Sequence, residues 1–196
     1  MSTDNVQPQT DPGFAPRDYS DSRLPGEWKS IYPEEARTEI RKEVGYLCFL
    51  LVVISLGILL AWLRLLHAFC KVDPRAAHTF SIYIIGTLAG ALGGTLFSAK
   101  WLYHSIAKRL WHLDRRLWRV STPLISGGLA FAVLLMVNSR LFGVFDPNLT
   151  SSLSRSAAVG FLVGFFSDNT VAKLAEVAES IFGTTKSRAN ESPERR

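Results

Sequence analysis

Long apolar blocks alternate with polar, charged segments along this chain. About 20 apolar residues in a helix, at a rise of about 1.5 Å each, cross a hydrocarbon core of about 30 Å. The blocks therefore predict an all-α membrane protein with four transmembrane helices. The predicted spans cover residues 44–66, 79–98, 123–145 and 154–167.

The fourth block differs from the others in length. After Arg155 its uncharged part covers barely half a bilayer. It predicts either a short, tilted span that uses flanking polar residues or a re-entrant half-helix, which is tolerated only where protein or water covers its end. We favour the short span.

Glycines recur at four-residue steps in two of the blocks. Residues three or four apart share one helix face, so such a series leaves a groove of bare backbone that another helix can approach closely. The spacing predicts helix-packing positions in the second and fourth spans. These positions are Gly86, Gly90, Gly94, Gly160 and Gly164.

The segments outside the spans also have distinct patterns. Residues 1–29 are rich in proline and polar side chains and lack apolar periodicity, so we expect a disordered tail, and the polar residues 184–196 suggest another. Between them lies one transmembrane domain, residues 30–183. It ends in an amphipathic helix over residues 171–182, which has an apolar face opposite a charged one and suits a membrane surface or a neighbouring subunit.

The segment of residues 100–120 mixes tryptophan with basic side chains. Single-stranded nucleic acid binders use this combination, and so do helices at a membrane surface. Spans on both sides favour the membrane surface, and the net charge of +5 has no nucleic-acid-recognition motif beside it. We therefore expect a lipid-interface role, without nucleic acid, for Trp101, Trp111, Trp118, Arg115, Arg116 and Arg119.

The distribution of lysine and arginine predicts the orientation. These residues are concentrated before the first span and between the second and third spans, and they are sparse in the other connections. Basic residues favour the cytoplasmic side. With four spans, both termini and the middle loop are then cytoplasmic.

Catalytic and metal-binding patterns are not evident. The histidines do not pair with cysteine or carboxylate residues at metal-ligand spacing, and Cys48 and Cys70 suit small apolar fillers. The intramembrane glycines are better explained by packing than by phosphate binding. We expect a protein that is not an enzyme and has no cofactor.

A few polar residues lie within or near the predicted spans. Arg140 lies in the third span, and Asp168 and Asn169 follow the fourth. Ionisable side chains at membrane depth are costly and often functional. For Arg140 we favour extension to the outer interface, because it lies near the end of the span. Its pairing with Asp168 would require the re-entrant geometry. These residues form a candidate intramembrane polar site.

Three short motifs resemble those of small bacterial four-span integral membrane proteins of unassigned function. The motifs are residues 90–94 (GALGG), 123–127 (PLISG) and 164–167 (GFFS), within a region of resemblance from 79 to 183. The resemblance implies a bacterial inner-membrane location and no particular activity.

Two functions fit this pattern. The first is an oligomeric channel-like or effector subunit, in which several copies would be needed to enclose a pore. The second is a non-conducting anchor or scaffold that recruits a cytoplasmic protein through the N-terminal tail or residues 100–120. Membrane lipids and a second copy of the chain are the other expected partners.

Overall fold

A computed structural model describes residues 29–63, 74–139 and 151–183. These residues form five α-helices and one 3-10 turn, with no strand among them. The helices are α1 (Glu34–Trp62), α2 (Pro74–Ala107), α3 (Arg116–Asn138), α4 (Leu153–Phe165) and α5 (Ser167–Phe182), and the 3-10 turn (Leu113–Arg115) precedes α3. The all-α fold expected from the apolar blocks is confirmed for this part of the chain.

Within the described ranges, α1, α2 and α3 are long and apolar enough to cross a membrane. They contain the described parts of the first three predicted spans, apart from Leu63 and Ser139, which follow the helix ends. Residues 64–66 and 140–145 of these spans lie outside the described residues, as do residues 1–28 and 184–196 of the predicted tails. Helix α4 has 13 residues, which corresponds to about 20 Å, and is shorter than a hydrocarbon core of about 30 Å. The structure therefore supports a membrane protein with three long apolar helices and a shorter fourth one.

Helix α3 begins earlier than the sequence suggested. The predicted third span begins at Pro123, but the helix starts at Arg116 and contains Pro123 in its interior. An interior proline leaves the carbonyl four residues earlier, that of Arg119, without its backbone donor. In the same turn, the Thr122 hydroxyl donates to the neighbouring Trp118 carbonyl at 2.7 Å.

Helix α2 is the central helix of the bundle, with α1, α3 and α4 packed against it. Its contacts with α3 run antiparallel, because successive glycines along α2 meet residues progressively earlier in α3. Its contacts with α4 run parallel at a constant sequence separation. The antiparallel pairs are Gly86–Leu134, Gly90–Ala130 and Gly94–Ser126, and the parallel pairs are Ile82–Ser156, Gly86–Gly160 and Gly90–Gly164.

Bare backbone forms the contact between α2 and α4. A Cβ atom built on Gly160 would overlap the carbonyl oxygen of Gly86, and one on Gly164 would overlap that of Gly90. One turn before Gly160, the hydroxyl of Ser156 donates to the carbonyl of Ile82 at 2.7 Å. Any side chain at these glycines would therefore force the two helices apart.

Helix α5 begins at Ser167, directly after a break at Phe166, whose backbone angles are φ −105° and ψ 36°. The amphipathic helix thus starts four residues before the predicted position. Ser167 is buried, whereas Lys173, Glu176 and most other described side chains of α5 are exposed. The bundle itself therefore covers little of α5.

We predict that Gly160→Ala destabilises the protein by about 1–3 kcal/mol, because the added methyl group overlaps the α2 backbone. The measurement is the free energy of unfolding in detergent micelles, followed by circular dichroism. Gly128→Ala is the matched control, since a Cβ at Gly128 has no neighbour within 4 Å. Both changes carry the same gain in helix propensity, so equal stabilities of the two variants would contradict the prediction.

Candidate functional site

The polar residues singled out in residues 100–120 gather at one end of the bundle, where α1 and α3 begin and α2 ends. We call this the basal end. Helix α2 stops there because Arg109 adopts a left-handed conformation with φ 59°. The Leu110 N–H donates to the Ser105 carbonyl at 2.8 Å, and the Arg109 N–H donates to the Ile106 carbonyl at 3.3 Å. These bonds complete a Schellman cap and turn the chain back toward α3.

A buried ion pair joins α1 to α3 at the basal end. The Nε and Nη2 atoms of Arg119 donate to the two carboxylate oxygens of Glu43 at 2.8 and 2.9 Å. The side chains are 3% and 2% exposed, respectively. Two parallel charge-assisted bonds fix both distance and orientation, so this pair sets how the two helices approach each other.

An aromatic layer covers the pair. The Arg119 guanidinium lies 6.0 Å from the centre of the Trp111 ring, and the Trp111 indole N–H makes a long 3.5 Å contact with Glu43. Tyr32 packs edge-on against Trp111, and its hydroxyl donates to the carbonyl of Ile106 at 3.3 Å. Arg119 also donates to the His112 carbonyl at 3.3 Å. The layer ties the segment before α1 to the connection between α2 and α3.

A second ion pair lies one helical turn before Glu43 in α1, on the side away from the apolar stretch that begins at Val44. The Glu39 carboxylate accepts hydrogen bonds from Lys42 and from Arg116, both at 2.6 Å. The hydrogen bond from Lys42, together with the charges of Lys42 and Arg116, lowers the pKa of Glu39 below its ordinary value. Two carboxylates of α1 thus meet two arginines of α3 in parallel register.

The residues expected at the lipid interface divide into two groups. Trp101, Trp118 and Arg115 are exposed, as a lipid-interface role requires. Arg119 is buried against Glu43 instead of facing lipid, and Arg116 and Trp111 are half-buried within the same network. The reason is a long-range contact: Glu39 and Glu43 of α1 neutralise the arginines that the sequence assigned to headgroups.

The candidate intramembrane polar site is only partly described. Arg140 lies outside the described residues, so its pairing with Asp168 stays a prediction. Asp168 and Asn169 are exposed in the first turn of α5. Among the described residues, no group of three or more His, Cys, Asp or Glu side chains could hold a metal ion.

Sequence reasoning missed Glu43, although a signal existed. Glu39 and Glu43 lie four residues apart in α1, and Arg116 and Arg119 lie three apart before the third span. Each spacing places two like charges on one helix face. One helix face therefore carries two carboxylates and another carries two arginines, and both lie next to apolar spans. This pattern predicts ion pairs between the two helices.

We predict that Glu43→Leu and Arg119→Met each cost about 3–5 kcal/mol of stability, because each leaves a buried charge unpaired. The double variant should cost less than either single change, since it removes both charges. The measurement is a double-mutant cycle on the free energy of unfolding in micelles.

The exposed pair Lys173–Glu176 in α5 provides the control, with its side chains 76% and 64% exposed. Lys173→Met and Glu176→Leu should each change stability by about 0.5 kcal/mol or less. Additive losses in the Glu43 and Arg119 double variant would contradict a mutually compensating pair.

Comparisons of the chain with protein-family models, with curated proteins and with solved structures found no match. The function is therefore inferred from the residues of this chain. Their arrangement shows a membrane-type helical bundle whose basal end is cross-linked by charge and aromatic contacts.

Proposed function

We propose that this protein is a non-conducting membrane anchor whose basal end presents a preformed platform to a cytoplasmic protein. The observation that carries the proposal is that the glycine faces of α2 and α4 are occupied within one chain. Each of the five predicted helix-packing glycines would place a Cβ against another helix of the same bundle. These surfaces are therefore already used and do not remain for assembling a ring of copies.

The basal end supports the platform role. Its two ion pairs and the Tyr32–Trp111 contact hold the starts of α1 and α3 and the end of α2 together. A surface fixed in advance loses less entropy when a partner binds. Residues 100–120 and the N-terminal tail, which precedes this end in the chain, are the regions proposed to contact the partner.

The register of α4 supports a short fourth span. Helix α4 runs parallel to α2, and its pairing with α2 begins near the start of the apolar block of α2 and continues along it. Phe165 at its end lies 6.2 Å, between ring centres, from Phe97 near the end of the same block. A helix that follows α2 along most of its apolar length fits a span better than a re-entrant turn.

The orientation follows from this reading of four spans. With α4 crossing, both termini and the basal end lie on one side, and the abundance of lysine and arginine there makes that side cytoplasmic. A bacterial inner membrane is the proposed location, based on the resemblance of the glycine-containing motifs.

An oligomeric channel-like subunit is the second candidate. It is favoured by α1, which is the least buried of the three long apolar helices. Its exposed side chains include Phe49, Val52 and Leu56. A second copy could pack on this face, although lipid would also cover it.

The test is the protomer count of the full chain in lipid nanodiscs, measured by mass, combined with ion flux in liposomes. We expect one chain per disc and flux equal to that of empty liposomes, unchanged in Asp168→Ala and Arg140→Ala. A ring of four or more chains with flux that either variant reduces would overturn the anchor proposal and support the channel.

A further inference from the structure

A cationic cavity opens beside the buried ion pair at the basal end. It has a volume of about 520 Å³, and a neighbouring cavity of about 330 Å³ shares Trp101, Ser105 and Arg115 with it. Volumes of about 300–1,000 Å³ are typical of small-ligand sites. The two cavities together, called here the basal pocket, therefore have room for a ligand headgroup.

The cationic wall of the basal pocket comes from one helix face and one turn. Lys100 and His104 lie four residues apart in α2, and Lys108 follows four residues later, directly after the helix ends. Arg115 comes from the 3-10 turn that the Arg109 cap directs back toward α2. No acidic side chain lines either cavity among the described residues. The pocket thus concentrates positive charge at the end of the apolar stretch.

These cations differ from the neighbouring arginines in lacking acidic partners. Arg116 and Arg119 are neutralised by Glu39 and Glu43. By contrast, Lys100, Lys108 and Arg115 form no ion pair with any carboxylate in the part of the chain that the structure describes. Their side chains are exposed, and no carboxylate of the described residues neutralises them, so they are accessible to an anionic ligand.

The other wall of the pocket is aromatic. The Phe97 ring lies 6.3 Å from Trp101 and 6.1 Å from Trp118, both measured between ring centres. Phe97 and Trp101 line the large cavity, and Trp101 and Trp118 line the smaller one. Phe97 belongs to the apolar block of residues 79–98, whereas Lys108 and Arg115 lie beyond it, and aromatic and cationic side chains line the same pocket.

We propose that the basal pocket binds the phosphate headgroup of an anionic phospholipid, with the lipid's glycerol and acyl region against Phe97, Trp101 and Trp118. The phosphate is placed among Lys100, Lys108 and Arg115, which supply charge-assisted donors. The buried Ser105 side chain lines both cavities. A free phosphate would use the cations but not the aromatic wall, so the wall favours the lipid as the source. The site goes beyond the anchor role and does not depend on it.

The test measures binding of phosphatidylglycerol and of phosphatidylcholine with identical chains to the full protein in micelles by native mass spectrometry. We expect the triple variant Lys100→Gln, Lys108→Gln, Arg115→Gln to raise the Kd for phosphatidylglycerol at least about tenfold. Binding of phosphatidylcholine should change much less, because its headgroup carries no net charge. Circular dichroism of each variant verifies that the bundle is folded.

The matched control is the triple variant Lys29→Gln, Arg37→Gln, Arg41→Gln, which removes the same charge from exposed positions before and within the first part of α1 and leaves Lys42 and its Glu39 contact in place. We expect less than about a twofold change in Kd for this variant. Equal weakening in the two triple variants, or no weakening in the pocket variant, would overturn the proposal in favour of general attraction to the surface.

The source of the phosphate is tested separately with inorganic phosphate and with Trp101→Ala. We expect inorganic phosphate at millimolar concentration to leave lipid binding intact, and Trp101→Ala to weaken phosphatidylglycerol binding. Displacement of the lipid by equimolar inorganic phosphate, together with unchanged lipid binding in Trp101→Ala, would overturn the lipid assignment and indicate a soluble phosphate ligand.

Discussion

The close approach of two helix backbones determines how this bundle is built. Gly86 and Gly90 of α2 meet Gly160 and Gly164 of α4 without any side chain between the helices. Lipid tails are as apolar as leucine, so close van der Waals contact is the force that can hold helices together in a bilayer. Because α2 also contacts α1 and α3, its position sets the position of each long helix.

The basal end uses a different force. Glu43 and Arg119 lose their hydrogen bonds to water when they are buried. Two hydrogen bonds between them and the contact of Glu43 with the Trp111 indole replace those bonds. Such a pair contributes less to net stability than to specificity, since only one arrangement of α1 against α3 satisfies both charges. Its geometry makes the basal end a fixed surface, on which both the proposed platform and the basal pocket depend.

Paired and unpaired cations lie within a few residues of each other at this end. Arg116 and Arg119 form ion pairs with carboxylates of α1, whereas Lys100, Lys108 and Arg115 line a cavity without such a pair among the described residues. The paired arginines therefore have a structural role, and the unpaired cations are available for anionic ligands. The left-handed cap at Arg109 produces this separation, because it reverses the chain between α2 and the turn that carries Arg115.

The sequence by itself determined the helical class, the three long apolar helices and the surface character of Trp101 and Trp118. These properties follow from local composition and from the length needed to cross a bilayer. The glycine spacing also located the positions that now lie between helices, although it could not identify their partners. Partner choice depends on which faces meet, and that is a property of the whole bundle.

Only the tertiary structure decided the burial of Arg119 and the residue at which α3 begins. From composition alone, an arginine beside an apolar span is expected at lipid headgroups, yet here a carboxylate 76 residues away in the chain neutralises it. Proline is expected at a helix entry, yet Pro123 lies inside α3, whose first turns are held by contacts with α1. Both outcomes arise from long-range contacts, whose free energies exceed the local preferences that a sequence pattern reports.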